Sequence, residues 1–477
     1  MKRFFAMLMC LLIFCACAPK SPQADGVLTY SALPGTLFPF YCTDENDRVW
    51  RVEKDGAYCL GFTVTPVADN AYFRQYDAAR DTALFAASPR REAGELLCTL
   101  LSVRGHENAR TLAENVKFSS LRGGANGALL YTDAQDTLYL YTGQALHELA
   151  HGVAQAEFLS GDTCVYRLRQ STGAGGELSY PVYAAAADFN RYLTDAAEIL
   201  SADVSTGRAY LIRERRQVQK RTAQASVALC SVCDRSDVLF ELPAVLLSQF
   251  ENAPAYTYLL CCDEQSPTLQ YRLLQTDGAE PVLISDAVSA GQYVAPSGEA
   301  YAYETLRAGK IERRLLTKEK TSLLSDSAAC ALKDFFVCSA YSCRLENNTL
   351  YDGDTPLSDS VASCRMIGTD LLCFSAAAPP YAVSLYRAGT ITLLANDVSD
   401  TNWVWTGSAL WYNSGADGGL VVVDAQGGRT AVLSSIDAAA GMLCADRSAA
   451  VVKDGQLYLS CEGQLTAPGL TVKHFFV

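Results

Sequence analysis

The sequence predicts an all-β fold, a β-propeller of four-stranded blades, and three observations predict it. A pentapeptide recurs about every 40 residues, the length of one blade. Between its copies the chain runs through short, alternating strands set apart by turn residues. Each such unit is a sheet too small to bury both of its faces, so units must stack around an axis.

The chain opens on Met1-Lys2-Arg3, followed by an apolar run from Phe4 to Phe14. A positive start and a short apolar core make residues 1–16 a lipoprotein-type signal peptide. The run falls short of the ~20 apolar residues that span a bilayer. Ala16 before Cys17 resembles a bacterial lipobox, which implies a lipid on Cys17. The competing cut, after "ACA", would place Pro19 just beyond it, and proline there blocks ordinary cleavage. Residues 17–35, with "APKSPQADG", read as the lipidated Cys and a flexible tether. The expected location is the outer face of a bacterial cytoplasmic membrane, held by the lipid on Cys17.

Residues 36–477 read as the β-propeller repeat region. The pentapeptide stands at Leu112–Val116, Leu149–Val153, Leu193–Ala197, Ile284–Val288, Leu324–Ala328, Leu357–Val361 and Leu394–Val398, with a shortened copy at Leu242–Val245. Within "GQYVAPSGEAYAYETLRAGKIERRLLTKEKTSLLSDS", Tyr293–Ala295 reads as a strand and Pro296-Ser297-Gly298 as a turn. "AYAYET", "KIERRLLT" and "TSLLS" supply three more strands. "YVAPSGEAYAY" resembles the WD-like propeller repeat of TolB-like proteins and of dipeptidyl-peptidase propellers. The style of Leu385-Tyr386 to Val398 resembles that of Firmicutes-type propeller lipoproteins. The resemblance implies the fold and leaves the function unassigned, because propellers host enzymes, receptors and scaffolds alike. Some ten to eleven units against the usual four to eight blades leave the ring number open, with a division into two rings expected, if anywhere, near 243–255.

Net charge is −13 and no stretch forms a basic stripe, which argues against nucleic acid as a partner. The 18 cysteines include three in the export signal, so 15 remain, an odd number for a complete disulfide framework. Cys98, Cys164, Cys338 and Cys373 stand in apolar, strand-like runs, and buried free thiols acting as small hydrophobes are the preferred reading, with a few disulfides as the alternative. Cys230-Ser-Val-Cys233 is a lone CxxC, too little for a zinc or redox site.

One motif carries chemistry. His147, Glu148 and His151 spell HExxH, which on a helix holds zinc between two imidazoles with the Glu as general base. Glu198 stands downstream where one zincin branch has its third ligand. Against this, Leu149–Val153 is itself a copy of the pentapeptide, and His147 falls on a predicted strand. On a strand, positions i and i+4 lie ~13 Å apart, too far for two zinc bonds. The repeat reading is preferred, with no metal and no catalytic residue. The zinc peptidase, with His147, His151 and Glu198 as ligands and Glu148 as base, is the alternative.

No G-x-S-x-G elbow, P-loop or G-x-G-x-x-G occurs, so no cofactor is expected. Asp44–Asp47 reads as a hairpin tip rather than a calcium loop, and Trp403, Trp405, Trp411 and Tyr412 as blade core. "RERRQVQKR", Arg213 to Arg221, reads as a solvated hairpin. The expectation is a non-catalytic binding or scaffold module with an unidentified protein, peptide or glycan partner. A propeller hydrolase is the second alternative.

Overall fold

The computed structural model describes residues 30–33, 36–54, 62–169, 180–204, 206–217, 225–233, 239–252, 256–263, 270–277, 280–293, 300–307, 309–317, 321–325, 330–387, 389–416, 418–433, 440–445, 448–461 and 464–476. The signal, Cys17, most of the tether and the Pro296-Ser297-Gly298 turn lie outside them.

The described residues are almost all strand, with three single-turn 3₁₀ segments and no α-helix. The strands form nine sheets, most of them four-stranded and antiparallel. Blade 2 shows the plan. Ala71–Asp77, Thr82–Glu92, Glu95–Arg104 and Arg110–Lys117 lie side by side in chain order. Two sheets, of seven and eight strands, each join two such units, which gives eleven blades among the described residues, numbered in chain order from blade 1, which holds Phe40–Thr43. In the seven-stranded sheet the 13-residue strand Phe240–Asn252 does the joining. Its first half pairs with Ala225–Cys233 and its second with Thr257–Asp263. Pairing is continuous along this strand to Asn252, and residues 253–255 of the stretch where the sequence hints at a division lie outside the described residues.

Eleven buried clusters, among the described residues, occupy the eleven junctions between consecutive blades. Phe85 and Val103 of blade 2 pack with Tyr41 and Val49 of blade 1, while Leu84 and Leu100 pack with Leu129 and Tyr131 of blade 3. The succession ends where it began, because Leu443 and Val452 of blade 11 pack against Phe40 and Val52 of blade 1. Blade 1 is closed by both chain ends: His474–Phe476 pairs antiparallel with Phe40–Thr43, and Tyr41 faces Phe476. Tyr30–Ala32 adds itself in parallel to Gly441–Ala445 of blade 11. Along Thr82–Glu92, Ala83, Phe85 and Ala87 enter one cluster while Leu84 and Ala86 enter the next, so the blade presents one apolar face to each neighbour.

The pentapeptide is the crossover from one blade to the next. Its fourth residue takes a left-handed conformation in Asn115 (φ 57°), Gly152 (φ 67°) and Ala287 (φ 56°). There its carbonyl turns outward to accept from the following blade: Asn115 O from Ala134 N at 2.9 Å, Gly152 O from Arg169 N at 2.7 Å, Ala287 O from Leu306 N at 3.2 Å. The fifth residue ties back, as Val153 N does to Asp136 O at 2.9 Å. Val67–Ala71 is a further copy, with Asn70 at φ 47° and its carbonyl accepting from Ser88 N.

A second repeated device is the Asp turn. Asp44 Oδ1 accepts from the backbone of Asn46 and Arg48, and Asp133 Oδ1 from Gln135 and Thr137. Asp424 does the same for Gln426 and Gly428. The Asp44–Asp47 stretch is thus a hairpin tip closed by its own side chain. Trp405, Trp411 and Tyr412 are buried in the clusters flanking blade 10, and the Trp405 indole donates to Asp370 at 2.9 Å. Of the basic run, the described residues Arg213 and Arg215 pair with Glu241 and Glu198.

Candidate functional site

HELAH lies on the last strand of blade 3, Leu146–Ala150, where His147 faces Leu140 and Glu148 faces Tyr139 across the ladder. No helix forms here. His147 and Glu148 point to opposite faces of the strand by its period of two. His151 stands beyond the strand, in the crossover, with its side chain 73% exposed. It meets Glu148 at 3.2 Å and Thr137 Oγ1 at 3.1 Å. Glu198 is two blades away on Glu198–Asp203, paired with Arg215 at 3.0 Å. The four residues of the zinc alternative are not brought together, and no cluster of His, Cys, Asp or Glu among the described residues is arranged to hold a metal ion.

Polar chemistry collects elsewhere, on the loop face of blades 1 to 3. Arg51, on Arg48–Lys54, is only 3% exposed. Its guanidinium donates to Tyr41 Oη (3.0 Å), Glu53 Oε1 (2.6 Å) and both oxygens of Asp81 (2.8 and 3.0 Å). It also reaches the Gly105 carbonyl at 3.4 Å. Tyr76 Oη donates to Asp81 at 2.7 Å, and His106 Nε2 stands 3.2 Å from Glu53. Burial works to raise the Asp81 pKa, but the hydrogen bonds from Tyr76 and Arg51 outweigh it and hold the carboxyl below its usual range. Burial pushes the Tyr41 phenol up to about 12.

This hub anchors two loops of blade 2, residues 78–81 and 105–109, and the same loops wall a cleft toward blade 3. The cleft has a volume of about 610 Å³. Arg80, Arg104 and Arg110 line it together with Glu107 and the side chains of Thr82 and Asn108. Arg80 is fixed, donating to Asp77 Oδ2 at 2.6 Å and to the Asn126 carbonyl at 2.9 Å. That hydrogen bond holds the Asp77 carboxyl below its usual pKa. The guanidinium groups of Arg104 and Arg110 are exposed and have no side-chain partner among the described residues. With Arg80 matched by Asp77, Arg104 and Arg110 stand against the one lining carboxylate, Glu107, which leaves the pocket positive on a chain of net charge −13. The lining residues come from five strands and three loops with no fixed spacing, and no motif in the sequence marks them.

A smaller cavity, about 170 Å³, opens on the opposite face between blades 2, 3 and 4. Its charges cancel internally. Asp136 pairs with Lys117 and, at 3.0 Å, with Arg169, and Arg122 pairs with Glu157 at 3.1 Å.

No family model matches this chain, and no curated protein matches it either. Among solved structures, the β-propeller domain of the Trilobed protease from Pyrococcus furiosus is similar at a TM-score of 0.30 and 12% identity, over 64% of this chain and 99% of that one. The Porphyromonas gingivalis dipeptidyl peptidase 4 is similar at 0.34 and 10%, over 84% of this chain and 60% of its own. The tricorn protease is similar at 0.24 and 9%, over 91% and 58%. At these TM-scores the likenesses add nothing to what the blades show by themselves: the chain folds as a β-propeller.

Proposed function

We propose that this chain is an exported, lipid-anchored β-propeller of TolB-like kind that binds its ligand without transforming it. The ligand is an acidic glycan, a hydroxyl-rich anion held in the cleft between blades 2 and 3. The observation that carries this reading is the pair of unpartnered guanidinium groups, Arg104 and Arg110, beside the fixed Arg80. A planar guanidinium matches a carboxylate with two parallel hydrogen bonds. The volume lies within the ~300–1,000 Å³ of small-molecule sites. Thr82, Ser102, Asn108 and Thr111 offer hydroxyl and amide partners to sugar hydroxyls, and the binding face is built of loops carried on rigid sheets.

The test is thermal stabilisation by an oligogalacturonate, with the neutral galactose oligomer as comparison. A ligand at a hundred times its Kd stabilises by about 2.7 kcal/mol. Stabilisation by the acid oligomer, absent with the neutral one and absent in Arg104→Ala/Arg110→Ala, supports the reading. Equal stabilisation by both oligomers, or by neither, overturns the acidic-glycan assignment, and shortening of the oligomer during incubation overturns the non-catalytic one. Anchoring is tested separately: Cys17→Ser moves the exported chain from the detergent phase to the aqueous phase.

A further inference from the structure

Thirteen of the described cysteines form no disulfide, and most of these are buried. Cys364 and Cys373 lie directly opposite each other on Ser363–Ile367 and Asp370–Phe374, the first two strands of blade 9. Their sulfurs are 3.6 Å apart. We propose that this pair is an oxidation site, a dithiol that closes into a cross-strand disulfide on reaction with a small-molecule disulfide.

The ladder favours closure. Gly368 and Thr369 form a two-residue turn, flanked by the facing residues Ile367 and Asp370. The residues flanking such a turn share its hydrogen bond, and facing pairs then alternate between bonded and non-bonded along the strands. Counting back from Ile367 and Asp370, Cys364 and Cys373 fall on a non-bonded position. There the Cα atoms approach to about 4.5 Å, inside the range that a disulfide spans. Side-chain rotation must shorten the sulfur separation to about 2.05 Å, and no strand has to move. Access comes from one side. Cys373 is 4% exposed, whereas Cys364 is half-buried on an edge strand between the exposed Ser363 and Arg365.

The reaction balances without further components. The Cys364 thiolate attacks one sulfur of RSSR and expels RS⁻, which leaves a mixed disulfide on Cys364. Cys373 then attacks the Cys364 sulfur and expels the second RS⁻. Two protein thiols lose two protons and two electrons, and one RSSR becomes two RSH. The hydrogen bond to Cys373, together with burial, raises the Cys364 pKa, so closure accelerates as pH rises. Cys461 is already disulfide-bonded, so the fold accommodates an oxidised bridge at one other place.

The sequence permits a direct test. Trypsin cuts after Arg344, Arg365 and Arg387, and leaves Cys364 and Cys373 as the single cysteines of two adjacent peptides, 345–365 and 366–387. The full chain is purified reduced, treated natively with oxidised glutathione, alkylated and digested without reductant. The expected result is the two peptides joined, lighter than their sum by two hydrogens, and separated by reduction. Recovery of the two peptides unlinked, as alkylated or glutathionylated thiols, overturns the proposal. So does a link from Cys364 to another cysteine, such as Cys343 in the same buried cluster. In Cys373→Ser, Cys364 should stop at a single glutathione adduct. The measurement on the parent stands whether or not that variant folds.

Discussion

Asp370 in blade 9 and Arg51 in blade 1 are both buried ions at blade junctions, one an anion and the other a cation. Asp370 is enclosed by Arg387, which grips both of its oxygens at 2.7 Å, and by the Trp405 indole at 2.9 Å. Its hydrogen-bond partners come from blades 9 and 10. Arg51 is equally buried, but its Nε has no partner, and its ligands lead outward. The side chain of Asp81 is 43% exposed and that of His106 66%. A saturated hub is a joint. A hub that is closed on its inner side and open on its outer side holds loops in place for something that arrives from solvent.

The contrast can be broken most severely at Asp370. Asp370→Ala strands a buried indole N–H and the inner side of a guanidinium, at a cost of about 3 kcal/mol, read from the urea midpoint. It should leave affinity for an oligogalacturonate unchanged. Arg51→Met should cost less in stability, about 2 kcal/mol, because Glu53 and Asp81 regain water. Unlike the Asp370 change it should weaken the ligand, because the 105–109 loop loses its anchor at the Gly105 carbonyl. Equal ligand affinity in the two variants would erase the distinction drawn between the hubs.

The pH dependence sharpens the same point. Hydrogen bonds hold the folded-state pKa values of Asp77 and Asp81 below their usual range. Their contribution is therefore fully present above the unfolded value of about 3.9 and is lost as pH falls through the folded values. Acid titration of stability should show a loss below about pH 4 that is smaller in Arg51→Met, which has already removed one cause of the Asp81 shift. The smallest stability effects belong to exposed groups. Arg104→Ala/Arg110→Ala and His151→Ala should each stay within about 0.5 kcal/mol of the parent, and only the arginine pair should change ligand affinity.

What the sequence discloses follows from what repeats. The pentapeptide is visible because blade crossovers repeat an apolar anchor at a fixed offset, and at Asn115, Gly152 and Ala287 a left-handed residue is added to it. Val67–Ala71 escapes notice because Val replaces the opening Leu, although Asn70 performs the same turn. HELAH shows the converse. Its spacing means zinc only on a helix, and the ladder partners Leu140 and Tyr139 keep it extended. Arg51, Asp81, Arg104 and Arg110 were beyond any reading by period, since three strands and a loop of two blades bring them together only once the blades have stacked. The Cys364–Cys373 pair needed a register, and composition supplies none.

Closure of blade 1 by His474–Phe476 has a consequence in time. Lys473, next to that closing strand, pairs with Asp47 across 426 positions of sequence. At ~5–20 residues per second, the ribosome needs roughly 20 to 85 seconds to make what lies between them. Through that interval blade 1 lacks its fourth strand, and Phe40–Thr43 is paired on one side alone, by Arg48–Lys54. Until His474–Phe476 has been made the blades can stand only as an open arc, and its pairing with Phe40–Thr43 is what locks them.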